Sequence, residues 1–73
     1  MAGKLPTLKP KQVLKALERH GFSIRRVSGS YYILKKERLR VTVPYHSKDL
    51  KPGTLKSIIE QAGLTVEEFL HLL

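Results

Sequence analysis

Histidine is the side chain best suited to moving a proton near neutral pH, and this chain has three, at 20, 46 and 71. His20 precedes Gly21, and His71 falls in the last turn of an apolar stretch; both suit helix C-termini, where positive charge meets the dipole. His46 is different. It lies in a loop between Tyr45 and Ser47, close to Lys48 and Lys51. It is placed either to touch a phosphate or a base, or to stand solvated. No histidine is spaced with Asp or Glu as metal ligands are, so no metal site and no cofactor is expected. No Ser-His-Asp pattern or Gly-rich phosphate loop is visible along the chain.

The segment KDLKPGTLK at 48–56 suits phosphate. A helix start leaves N–H groups unpaired and carries partial positive charge. Gly53 lets a backbone come close, Thr54 follows it, and Lys48, Lys51 and Lys56 add charge. The plainer reading is an ordinary helix start with solvated lysines. A second segment, GSYYILKK at 29–36, sets the bulky Tyr31 directly after a Gly29-Ser30 turn. Gly29 can adopt a left-handed backbone and Ser30 can hold the turn by a local hydrogen bond.

The surrounding pattern predicts the elements that carry these residues. Pro10, then Val13, Leu14 and Leu17 at helical spacing, with Gly21 and Phe22 as cap and capping contact, predict a helix over about 10–20. Lys9 is a poor N-cap, and Thr7 is the better capping side chain nearby. Phe22, Ile24 and Arg26 alternate with Ser23, Arg25 and Val27, which predicts a short strand with its apolar face clearest at the start. A second strand begins at Tyr31. After a polar turn at Lys36-Glu37-Arg38, Leu39, Val41 and Val43 form a third, ended by Pro44. Pro52 opens a second helix with Leu55, Ile58, Ile59 and Ala62 on one face and Gly63 as cap. Thr65 and Glu68 form a capping box for a last short helix over about 66–72.

The predicted fold class is therefore α+β, in the order α-β-β-β-α-α, with a three-stranded antiparallel sheet and helices on one face. Double-stranded-RNA-binding domains share that order and bind by shape and phosphate contacts. The 73 residues suffice for a single domain, with 1–7 expected as a flexible tail. There is no cysteine and no run approaching the roughly 18–20 apolar residues of a membrane span, so a soluble cytoplasmic protein is expected, with no membrane partner. Net charge is +8, and it is uneven. All 14 Lys and Arg precede residue 60, whereas the last stretch holds Glu60, Glu67 and Glu68 and no cation. A basic surface on this scale points to a polyanion, most often nucleic acid.

The runs KQVLKALERHGF at 11–22, GSYYILKK at 29–36 and RVTVPYHSKDLKPGTLKSIIEQAGLTVEEF at 40–69 resemble the HicA family of small bacterial and archaeal toxins over nearly the whole chain. The resemblance implies a double-stranded-RNA-binding-like fold, an mRNA endoribonuclease that blocks translation, and a HicB-type antitoxin that masks the active site. From the turn, the loop and the helix start, the residues expected to contact RNA are Gly29, Ser30, His46, Lys48, Lys51, Gly53, Thr54 and Lys56. The resemblance also implies a catalytic histidine directly after the Gly-Ser turn, and that position is Tyr31 here. A histidine side chain ordinarily titrates near ~6.5 and a tyrosine near ~10, so tyrosine is a poor base at neutral pH. The expected activity is accordingly weakened or lost, while the RNA surface is kept. The alternatives are a non-catalytic RNA-binding module and an interaction domain for an acidic antitoxin.

Overall fold

The computed structural model describes residues 5–46 and 48–73. Its elements run α1 (Pro10–Arg19), β1 (Ser23–Ser28), β2 (Tyr31–Lys36), β3 (Leu39–Pro44), α2 (Pro52–Gln61) and α3 (Val66–Leu70). The strands form an antiparallel sheet in the order β1-β2-β3. This is the α+β arrangement that the sequence predicts.

Local chemistry accounts for the boundaries. Helix α1 starts at Pro10, and the Gln12 side chain reaches back to accept from the Lys9 N–H at 2.9 Å. That bond, rather than Thr7, holds the helix start. At the other end Gly21 adopts φ +105°; the Phe22 N–H donates to the Leu17 carbonyl and the Gly21 N–H to that of Glu18, each at 3.0 Å. The pattern repeats after α2, where Gly63 (φ +72°) donates to Glu60 and Leu64 to Ile59. Both are Schellman caps, which need a left-handed residue and so favour glycine. His20 and His71 are the C-cap residues of α1 and α3, as their sequence positions suggest.

Alternation along the strands sets the core. Leu34, Val41 and Val43 are buried beneath Val13, Leu17, Leu55, Ile58 and Ile59 of the helices. Arg40 and Lys35 project from the opposite face. Strand β1 departs from expectation. Phe22 is buried but lies just before the strand, and every residue of β1 is exposed, Val27 by 54%. The helices pack mainly on β3, so β1 overhangs them, and its pairing with β2 shifts register between Ile24 and Arg26. At the far edge, the outward Thr42 N–H donates to the Gln61 side-chain oxygen at 3.1 Å, so α2 covers part of β3's open side.

The expected tail at 1–7 is only partly described, since residues 1–4 lie outside the described residues, but Leu5 packs partly buried against the core. In the last segment Phe69 and Leu72 contribute to the core, whereas Leu73 is exposed. The Arg19 guanidinium donates to the Leu72 carbonyl at 2.7 Å, which ties the chain end back to α1.

The capping box at α3 makes one prediction. Glu68 Oε1 accepts from the Thr65 N–H at 2.8 Å, and Thr65 Oγ1 accepts from the Glu68 N–H at 3.1 Å. The Thr65 backbone bond, then the Thr65 side chain, and lastly the charge of His20 hold the Glu68 carboxyl below its ordinary 4.5. A lowered folded value means that the box stabilises fully above the unfolded value and loses that contribution as pH falls through the folded one. Glu68→Gln keeps a box-forming side chain but cannot titrate. On acidification below about 4.5, the wild-type melting temperature should therefore fall toward that of Glu68→Gln. A wild-type advantage that stays constant from neutral to acid pH would refute the assignment.

Candidate functional site

The end of the sheet where β2 begins and β3 ends gathers most of the residues singled out in the sequence. Gly29 turns the chain with φ +57°, with no atom within 4 Å of where a Cβ would stand. Ser30 follows, and its carbonyl accepts from the Tyr45 N–H at 2.6 Å, which closes the sheet end just beyond the Tyr31–Pro44 pair. Tyr31 opens β2 on the face turned away from the helices and is 52% exposed.

The loop after β3 is pinned at both ends. Tyr45 is held by Ser30; Leu50, buried, donates from its N–H to the carbonyl of buried Leu8 at 2.8 Å. The Lys9 ammonium lies 3.5 Å from the Asp49 carboxylate, an exposed pair that adds little energy but brings the loop beside the start of α1. Between these anchors opens a cleft of about 430 Å³. Tyr31, Pro44 and His46 form one part of its lining; Lys48, Asp49, Leu50, Lys51 and Thr54 form the rest. Lys51 is the N-cap of α2, so the amino end of that helix borders the cleft.

Five of the nine predicted site residues thus meet in one place: Tyr31, His46, Lys48, Lys51 and Thr54. Gly29 and Ser30 shape the turn behind Tyr31 without lining the cleft. Gly53 and Lys56 lie apart, in a separate hollow of about 400 Å³ with Leu5 and Pro52. Asp49 and the Leu8–Leu50 tie, which place the loop, carry no local signal in the sequence, because both depend on contacts about 40 residues apart. A further hollow of about 450 Å³ lies at the opposite end of β2, over Gly21, Ser23, Arg25, Lys35, Lys36 and Glu37, and includes none of the predicted residues. Among the described residues no cluster of three His, Asp or Glu side chains could hold a metal ion. None of their helices is long and apolar enough to cross a membrane.

A family model described as the HicA toxin of bacterial toxin–antitoxin matches residues 10–64, from the first residue of α1 to just past the cap of α2. This chain belongs to the HicA toxin family. The match spans the turn at 29–30, all three strands and the whole cleft. Family membership makes the chain the toxin half of a toxin–antitoxin system and implies an antitoxin partner. No curated protein matches the sequence.

Proposed function

We propose that this HicA toxin binds messenger RNA in the cleft at the Tyr31 end of the sheet, and that it is a metal-independent endoribonuclease by descent whose cleavage is weakened or lost because of Tyr31. The observation that carries the reading is the convergence of Tyr31, His46, Lys48, Lys51 and Thr54 on one cleft at the amino end of a helix. Two ammonium groups and a helix start favour phosphate. Such a site supports attack by a ribose 2′-oxygen on the adjacent phosphorus. The 2′-OH proton passes to a base, the bond from phosphorus to the 5′-oxygen breaks, and that oxygen takes up a proton. An imidazole at 31 would serve either proton transfer; the phenol present there serves both poorly at neutral pH.

That phenol favours a second reading, a non-catalytic module that holds RNA and blocks translation without cutting it. In both readings residues 1–73 act as one double-stranded-RNA-binding-like domain in the cytoplasm. A HicB-type antitoxin silences it by covering the basic cleft. Binding is tested by RNA affinity across a salt series. Lys48→Ala with Lys51→Ala should weaken binding whatever the RNA sequence and flatten the log–log salt slope by about 0.7–0.9 per lysine. Lys56→Ala, in its separate hollow, should do less. An affinity indifferent to salt in the wild type would remove the RNA reading.

A further inference from the structure

His46 lines not one hollow but two. Beyond the cleft lies a second space of about 320 Å³, bounded by Lys9, Pro10, Lys11, Tyr45 and His46. We propose that this second hollow is a stacking subsite for an unpaired nucleobase, with Tyr45 as its platform. The proposal rests on the RNA reading above and narrows its substrate to single-stranded RNA.

The platform is built rather than incidental. Tyr45 stacks on Tyr32 with ring centroids 4.7 Å apart and planes 30° apart, and Tyr32 is itself packed against the core. The Tyr45 backbone is fixed by its bond to Ser30. Yet Tyr45 is still 37% exposed, and its open side lines the hollow. A rigid, half-exposed ring is what a base needs, because little ordering is left to be done on binding. The surroundings fit a nucleotide better than a greasy side chain. Lys9 and Lys11 line the hollow together with Tyr45, and Lys48 and Lys51 line the adjoining cleft. Proteins that hold single strands combine such a basic track with aromatic rings on which bases stack. His46, shared by both spaces, stands where the phosphate joining the stacked nucleotide to its neighbour would pass. An A-form duplex could offer its phosphates to the cleft lysines, but its bases are locked in the stack and cannot enter the hollow.

Fluorescence anisotropy with a short labelled RNA, as a single strand and annealed to its complement, tests this on the full chain. Tyr45→Ala should weaken single-strand binding by about 5- to 150-fold, the worth of one stacked base, and leave duplex binding unchanged. Tyr45→Phe should retain single-strand affinity. Tyr45→Leu keeps an apolar cover over Tyr32 without the flat ring, so it should lose single-strand affinity while holding its melting temperature. If Tyr45→Ala and Tyr45→Leu bind the single strand as the wild type does, the subsite is wrong and the RNA reading survives. Equal losses for single strand and duplex overturn the subsite as well. If the wild type binds neither RNA, both readings fall together. Loss of antitoxin binding alone would reassign Tyr45 to a protein contact.

Discussion

Tyr31→His is expected to raise RNA cleavage by about 10²- to 10⁴-fold, the usual worth of a positioned general acid or base. RNA affinity should change little, because the lysines that hold phosphate are untouched. The position is favourable for the change. Residue 31 is the first of β2, fixed in register against Pro44, and its side chain opens onto the cleft beside His46. A smaller ring at a half-exposed site costs the core nothing. The gain should persist in the presence of chelators and appear in cells as arrested growth, which co-expressed antitoxin relieves. The measurement is single-turnover cleavage of a labelled RNA by both proteins. A variant that folds and binds RNA but does not cut would show that position 31 is not the missing group. His46 would then be the candidate, and the binding-module reading would lead.

Phe69→Ala should unfold much of the population. Phe69 is fully buried and is the largest of the fully buried side chains among the described residues. Removing such a ring costs about 3–5 kcal/mol, comparable with all that a core of this size supplies. The acidic, apolar end of the chain is thereby part of the fold, joined to the core through Phe69 and Leu72 and to α1 through the Arg19 bond. Thermal melts followed by circular dichroism will decide. A melting temperature near that of the wild type would mean that α3 is an exposed docking helix instead.

Much of this architecture is legible because a few residues leave the backbone no alternative. Gly21 and Gly63 stop their helices since the left-handed turn excludes most other side chains, and Thr65 with Glu68 starts the next. The burial of β2 and β3 follows from alternation. The exposure of β1 does not. Alternation marks Ile24 for the core and Val27 for the other face. The register shift beside Arg25 sets Val27 opposite Tyr32, on the same side as Ile24, and the helices, packed mainly on β3, leave both uncovered; these are tertiary facts. The site shows the same division. Tyr31 follows from its turn, and Lys48, Lys51 and Thr54 from a helix start. Lys56 is near them in sequence, yet two residues beyond Thr54 along a helix is ~200° further around it. The Tyr45 ring contact is not legible along the chain, because its partner, Tyr32, is 13 residues away on β2.

The way each margin of the sheet is finished has a consequence for crowding. An exposed strand edge invites the same strand of another copy, and the growth of such pairs is how many β-rich chains aggregate. Here the Gln61 amide occupies the outward N–H of Thr42 on one margin, while on the other the irregular pairing at Arg25 and the adjacent guanidinium of Arg26 blunt the template. Blunted in part by these two features, the margins offer a second copy less regular edge on which to add a strand.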